Sequence, residues 1–308
     1  MYTLDDKSNM TNFIRRLLLN PSLPHFNPVE SEIIISNFFV ANKVIIKKEF
    51  KIRSHFQNLN DSEIEKLFYG TLESEILFRT QEKIKVIIYN KIDYSFMKKI
   101  KGFHGDIELF KDQIFYLLHS SIKKNSIRKA FIPILRIFQH QIIERYISVL
   151  FIQKSSVIDT INKKDRLFLN NDEMINFFKT LSMVSVLGYL YVDNGGTNIH
   201  ITNSIDKEKS MNTVLAKIEE MNYPIPDSLI TFALCANYKD KNIATISPVV
   251  KLLRIFLLFG KYYNNEEQNQ RGAIDIEQSF FSHYKYDHAN YGIDPEILDI
   301  LYSGHFKN

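Results

Sequence analysis

The stretch SEIIISNFFVANKVIIKKEFKI, residues 31–52, decides the fold class that the sequence predicts. It contains two runs rich in β-branched and aromatic residues, separated by Ala41 and Asn42, and such runs are typical of paired β-strands. A second stretch, ESEILFRTQEKIKVIIYNK at residues 73–91, repeats the pattern around Thr80 and Gln81. The two stretches together predict strand pairs in the N-terminal part of the chain.

One short helix is predicted between these strand pairs. The segment LNDSEIEKLFYGTL offers Asn60 or Asp61 as an N-terminal cap, and its apolar pattern ends near Gly70. We therefore expect residues 1–118 to form a small mixed α/β domain, which makes the whole chain α+β.

Composition indicates a folded protein and gives no sign of a nucleic-acid partner. The chain has 308 residues, of which 45% are hydrophobic and 24% charged, so it is long enough for one large or two ordinary domains. There are 39 Lys and Arg against 35 Asp and Glu, and the small surplus is not gathered into a basic run. We expect no nucleic-acid binding.

The cysteine content and the apolar segments predict a cytoplasmic protein. Cys235 is the only cysteine, so no internal disulfide forms, and such chains suit a reducing compartment. The N-terminal MYTLDDKSNMTNF lacks the pattern of a signal peptide. The most apolar run, VVKLLRIFLLFG, is interrupted by Lys251 and Arg254 and falls short of the ~20 residues that cross a bilayer. We expect a buried helix there and no membrane partner.

After a polar linker at residues 119–129, the pattern changes to helices. Residues 131–154 predict one long two-faced helix with Arg136, His140 and Glu144 on its polar stripe. Further helices are predicted in NNDEMINFFKTLSMVSVLGYLYV, KSMNTVLAKIEEMN, PDSLITFALCAN, SPVVKLLRIFLLFG, DIEQSFFSHYK and DPEILDILYS. The fourth of these six, SPVVKLLRIFLLFG, begins at Ser247 and ends at Gly260 by its cap residues. Residues 130–303 should therefore form an all-α bundle.

Common catalytic motifs are missing from the sequence. It has no Gly-rich phosphate loop, no H-E-x-x-H, no C-x-x-C and no nucleophile elbow. Three possible ligands, His283, Asp287 and His288, stand close together in FFSHYKYDHANYGIDPEILDIL, residues 280–301. His283 and Asp287 are four residues apart on a possible helix, but this pair has no third ligand nearby at metal-site spacing. Asn290-Tyr291-Gly292 is typical of a turn, so we interpret the segment as a polar connector into the last helix.

The order of the C-terminal helices resembles the end of HD-GYP domains. The similarity rests on a long apolar helix, a tyrosine-rich polar stretch, a short helix and then YGIDPEILDIL, and it extends over about residues 130–303. Active members of that family are helical phosphodiesterases that open cyclic di-GMP with two or three metal ions. The resemblance implies that QHQIIERYISVLFIQK matches the first helix of the family, with its leading histidine at His140.

Most positions that match the family's metal ligands hold other residue types here. The resemblance places Ser185 and Val186 at the His-Asp pair, Lys207 at a further histidine, Cys235 and Ala236 at the His-His pair, and Leu257 at the distal aspartate. A metal-assisted hydrolase needs several His and carboxylate ligands to hold its ions. His140, together with Asp240, is the possible residual site.

The resemblance with these departures implies a non-catalytic bacterial signalling or regulatory protein. It would bind a protein partner or cyclic di-GMP and would need no cofactor. One alternative is a divergent cyclic di-GMP phosphodiesterase that holds iron or manganese in a rebuilt site with His140, Asp240, Asp287 and His288. Another is a scaffold of the related HDOD type, in which the ligands of HD domains are also lost.

Overall fold

A computed structural model describes residues 3–19, 28–52, 56–123, 125–186, 225–236, 247–267 and 273–306. Every regular element in these ranges is a helix, and none of them contains a strand. The chain divides into two compact units, Met1–Ile84 and Lys85–Asn308. The predicted linker at 119–129 lies inside the second unit, and the limits of independently folding domains stay a prediction.

The first unit is built from three helices, α1 (Leu4–Leu18), α2 (Pro28–Ile52) and α3 (Asp61–Val86). Their shared core includes Phe39, whose ring stacks on that of Phe68 with centroids 3.9 Å apart. Ion pairs join the helices along their edges. These are Lys47 with Glu65 (2.7 Å), Lys51 with Asp61 (2.9 Å) and Arg15 with Glu75 (2.9 Å).

The prediction of a mixed α/β domain is wrong, because both predicted strand pairs are helical. Residues 31–52 all belong to α2, and the buried positions Ile35, Phe39, Ile46 and Phe50 recur at helical spacing. Residues 73–86 belong to α3, which continues into a π-helical turn at Ile87–Lys91. A β-branched residue costs only a few tenths of a kcal/mol in a helix, whereas burying its side chain contributes about 1.5–3 kcal/mol. Burial therefore overrides the local strand preference.

The start of α3 is predicted correctly and its end is not. The side chain of Asn60 accepts a hydrogen bond from the Glu63 amide (3.0 Å), and the Glu63 carboxylate accepts one from the Asn60 amide (3.0 Å). This reciprocal cap begins the helix where expected. Gly70 does not end it, because the helix runs on to Val86 with Gly70 on its exposed side.

The second unit is helical in all its described parts, as predicted for residues 130–303. Its elements are a 3-10 helix (Ser95–Lys99), α4 (Ile107–Ser121), α5 (Asn125–Gln139), α6 (Ile142–Gln153), α7 (Ser155–Asp165), α8 (Asn171–Ser185), α9 (Asp227–Ala236), α10 (Pro248–Glu267), α11 (Ala273–Tyr291) and α12 (Pro295–Phe306). The central element is α10, which contacts α5, α7, α8, α9 and α11. The apolar run that was too short for a membrane span is thus the core helix of this unit. No helix in the ranges above is long and apolar enough to cross a bilayer.

Two helix limits in this unit differ from the predicted ones. The single helix predicted over 131–154 breaks into α5 and α6 because Gln141 adopts a left-handed conformation, with φ of 51°. The helix predicted to end at Gly260 continues to Glu267. A Cβ at position 260 would lie 2.3 Å from the carbonyl oxygen of Pro133 in α5, so this glycine permits close helix packing instead of ending a helix.

Three predicted helix starts are confirmed. Helix α9 follows Pro226, and the Ser247 hydroxyl accepts a hydrogen bond from the Val249 amide (3.1 Å) at the start of α10. The Asp294 carboxylate accepts one from the Glu296 amide (3.0 Å) at the start of α12. The helix predicted at residues 209–222 lies outside the described residues.

Candidate functional site

The predicted site positions that the structure describes lie mostly on three helices that contact one another. Ser185 is the last residue of α8 and Val186 follows it, Cys235 and Ala236 end α9, and Leu257 lies in the middle of α10. Helices α8, α9 and α10 pack pairwise. Positions that are far apart in sequence therefore belong to one packed region, which we call the three-helix region.

Most of the side chains at these positions are buried in the core, whereas Cys235 is partly exposed. Val186 is fully buried, Ala236 is 7% exposed and Leu257 is 5% exposed. Ser185 is also buried, and its hydroxyl donates a hydrogen bond to the Ser182 carbonyl (2.7 Å). Hydrocarbon side chains have no lone pairs for a cation, so the packing of Val186, Ala236 and Leu257 holds helices together and cannot coordinate metal.

A buried arginine of α10, Arg254, binds two backbone carbonyls next to the three-helix region. Arg254 is 3% exposed, and it donates from Nη2 to the Cys235 carbonyl (3.1 Å) and from Nη1 to the Gly292 carbonyl (3.3 Å). The C-terminal carbonyls of a helix carry partial negative charge, which a cation stabilises. Arg254 therefore ties the end of α9 to the turn between α11 and α12. In the sequence, Arg254 is apparent only as an interruption in an apolar run.

His140 packs against an aromatic ring at the break between α5 and α6. Its imidazole stacks on the Tyr263 ring, with centroids 3.9 Å apart and planes inclined by 29°. The expected polar stripe of one helix does not form, because α5 ends before Glu144, which pairs with Lys179 (2.7 Å). Lys207 and Asp240 lie outside the described residues, so only one member of the possible residual site is placed.

A second polar group, which the sequence did not predict, joins α6 to α11. Glu277 is 4% exposed; its Oε1 lies 2.6 Å from Nη2 of Arg145, and its Oε2 accepts a hydrogen bond from the Tyr146 hydroxyl (3.1 Å). Burial and, after it, the nearby carboxylate charge raise the pKa of Tyr146 well above its usual value. The phenol stays protonated and acts as a donor, so the group stabilises the packing of two helices.

The histidine-rich terminal segment is helical and is not a polar connector. Helix α11 includes His283, Asp287 and His288 and continues to Tyr291. The exposed ring of His283 lies 5.8 Å from that of Tyr262, centroid to centroid. Among the described residues, no group of three or more His, Cys, Asp or Glu side chains could hold a metal ion.

The connector into the last helix is much shorter than predicted, and an ion pair fixes it. It begins at Gly292, which has a positive φ of 63°. The Asp294 carboxylate caps α12 and also pairs with Lys251 of α10 (2.9 Å). The aspartate-proline pair that carries the resemblance thus has a structural role: it starts α12 and anchors it to the central helix.

Comparison with known proteins adds no further information on the site. Scans of models of known protein families, of curated proteins and of solved structures each returned no match.

Proposed function

We propose that this chain is a non-catalytic signalling or regulatory protein of the cytoplasm that acts by binding, with HD-GYP-like helix order in its second unit. Its ligand is a protein partner or cyclic di-GMP. The observation that supports the proposal is the character of the three-helix region. Val186, Ala236 and Leu257 stand where the resemblance implies ligands, and all three are buried in the helix packing.

The polar groups around this region also favour a scaffold over a reaction centre. Arg254 uses its guanidinium to hold two backbone carbonyls, and Glu277 is engaged by Arg145 and Tyr146. Both side chains are buried and make short polar contacts with neighbouring helices or turns. Such contacts stabilise one arrangement of helices, which a binding module needs in order to present a constant surface.

The test combines metal analysis with titration calorimetry. Protein purified without chelator is analysed for iron and manganese and then titrated with cyclic di-GMP, with and without added Mn²⁺. We expect less than one metal ion per chain. If cyclic di-GMP binds, the heat of binding should not depend on Mn²⁺, because no metal ion bridges the nucleotide to the chain. More than one bound ion per chain contradicts the proposal.

An activity assay separates the proposal from the phosphodiesterase alternative. The chain is incubated at high concentration with cyclic di-GMP and Mn²⁺, and the linear dinucleotide is measured. We expect no product. Product formation that His140→Gln abolishes and Asp159→Asn leaves unchanged would establish the alternative, since Asp159 is an exposed residue of α7 and is not one of the candidate site residues.

A further inference from the structure

Helix α2 presents an apolar face to solvent, which we call the α2 outer face. It consists of six large side chains with exposed fractions between 43% and 80%: Ile33, Ile34, Phe38, Val40, Val44 and Ile45. Single exposed apolar residues are normal on a protein surface, but a continuous group along one helix is not. This group lies within three and a half turns, or roughly 18 Å of helix.

The α2 outer face lies opposite the side of α2 that packs into the first unit. Ile35, Phe39, Ile46 and Phe50 are at most 7% exposed and belong to the core of that unit. At about 100° per residue, the exposed set and the buried set point to opposite sides of the helix. Helix α2 is therefore apolar on two sides, of which the inner one is buried in the core of the first unit and the outer one stays exposed.

The size of the face fits a protein interface. With about 170–240 Å² for a fully exposed Val, Ile or Phe residue, main chain included, the six exposed fractions amount to roughly 650 Å² per chain, somewhat below the ~800 Å² that each partner contributes to a standard interface. The small Ala41 and the polar Asn37 are exposed along the middle of the face. A small residue there lets a second helix approach closely.

The spacing of the face indicates which partner fits. The six residues form three pairs, and the two members of each pair are equally distant in sequence from position 39. The pairs are Ile33 with Ile45, Ile34 with Val44, and Phe38 with Val40. In a twofold interface, residue i contacts j of the partner and j contacts i, so a row that is symmetric about its own middle is complementary to itself when the partner runs antiparallel.

We propose that the α2 outer face is the contact surface between two copies of this chain, with the two α2 helices antiparallel and crossing near position 39. A membrane surface fits less well. Interfacial helices carry a strongly polar face opposite the apolar one, whereas α2 buries its opposite face in the core of its own unit. This inference does not rest on the proposed function of the second unit.

The first experiment measures the mass of the full chain in solution. Wild type, Val44→Glu and Ile152→Glu are compared by size-exclusion chromatography with light scattering across a range of concentrations. Val44 and Ile152 are both at least 80% exposed, so neither substitution disturbs a core, and only the first lies on the α2 outer face. We expect twice the mass of one chain for wild type and Ile152→Glu, and the mass of one chain for Val44→Glu. A monomeric wild type, or a Val44→Glu variant that stays dimeric, overturns the proposal.

The second experiment tests the antiparallel arrangement. Ile34→Cys and Val44→Cys proteins are oxidised separately and as a mixture, with wild type as the control for Cys235. Antiparallel pairing places position 34 beside position 44 of the other copy, whereas the two copies of either position lie roughly 15 Å apart along the axis, beyond disulfide reach. We expect a covalent dimer in the mixture alone. A dimer from Val44→Cys alone indicates a parallel pair and overturns the antiparallel assignment.

Discussion

At the scale of single residues, Glu277 has the clearest measurable role. Its carboxylate is almost fully buried, forms an ion pair with Arg145 and accepts a hydrogen bond from the Tyr146 hydroxyl. Glu277→Gln keeps the shape but removes the charge, so the guanidinium loses its counterion. We expect the free energy of unfolding to fall by about 2 kcal/mol, less than for a fully buried pair because Arg145 is one-third exposed. Urea titration followed by circular dichroism measures this loss.

The matched control for Glu277 is Asp159→Asn, which removes a carboxylate charge from the exposed side of α7. It should change the free energy of unfolding by less than about 0.5 kcal/mol. Equal effects of the two substitutions would show that the loss comes from net charge and not from the Glu277 contacts.

The sequence shows which positions are charged, but it does not show which groups those charges contact in the folded chain. Arg254 was visible in the sequence as a charge within an apolar helix, and a buried charge must find acceptors. Its acceptors, the carbonyls of Cys235 and Gly292, lie 19 and 38 residues away in the chain. No local pattern specifies such partners, since they depend on how the helices pack.

At the scale of helices, replacing glycine by alanine should have opposite effects on stability at Gly260 and at Gly70. Gly260→Ala would place a methyl group 2.3 Å from the Pro133 carbonyl oxygen, which is backbone and can move only if α5 and α10 separate. We expect a loss of about 3 kcal/mol in the free energy of unfolding. Gly70→Ala adds a methyl group in open space on the exposed side of α3 and should raise stability by about 0.5–1 kcal/mol. Urea titration of both variants measures the two effects, and a neutral Gly260→Ala would contradict the close packing of α5 on α10.

N-terminal helix caps were predicted better than helix ends or helix faces, because Gly70 and Gly260 were both expected to end a helix and both lie inside one. The caps at Asn60, Ser247 and Asp294 act within three residues, so the sequence alone reveals them. The strands predicted in α2 failed for a different reason. Apolar residues on both sides of α2 hid its 3.6-residue period, and the remaining signal was the strand preference of Ile, Val and Phe.

The ion pairs between α2 and α3 predict how pH affects the first unit. Hydrogen bonds from Lys43 and Lys47 lower the pKa of Glu65, and a hydrogen bond from Lys51 lowers the pKa of Asp61. Because the folded pKa lies below the unfolded one, the unfolded state takes up protons first as the pH falls. The stabilisation of the folded state by these ion pairs is complete above the ordinary carboxyl pKa of about 4. It is lost as the pH falls through the lowered pKa values of Glu65 and Asp61.

Glu65→Gln tests this pH dependence. Its urea midpoint should fall less than that of wild type between about pH 6 and pH 3, because one of the titrating carboxylates is gone. Glu73→Gln, at an exposed position of the same helix, should follow wild type. If Glu65→Gln also follows wild type, the ion pairs of Glu65 with Lys43 and Lys47 do not contribute to stability.

At the scale of the whole molecule, the sequence predicted which helices pack together at the candidate site better than which side chains could act there. Helices carrying Ser185, Ala236 and Leu257 were assigned to one bundle from their order, and they do pack together. The terminal histidines were the more obvious candidates for a metal or acid-base site, yet among the described residues no group of three or more possible metal ligands is found, on α11 or elsewhere. Ligand sites need several side chains at one point in space, and spacing along the chain reports this only when the ligands share an element.

Because no group of possible metal ligands is found among the described residues, we expect Mn²⁺ to leave the stability of the chain unchanged. A metal that binds only the folded state at a hundredfold excess over its Kd adds about 2.7 kcal/mol, which raises the melting temperature of a protein of this size by several degrees. We expect melting temperatures in Mn²⁺ and in EDTA to agree within about 1 °C, because Val186, Ala236 and Leu257 offer no donor atoms. Mg²⁺ at the same ionic strength is the control for screening of surface charges, which both ions produce alike. A rise with Mn²⁺ that Mg²⁺ does not reproduce would require a metal site that includes His140 or residues outside the described ranges, and it would contradict the proposal that the chain works without metal.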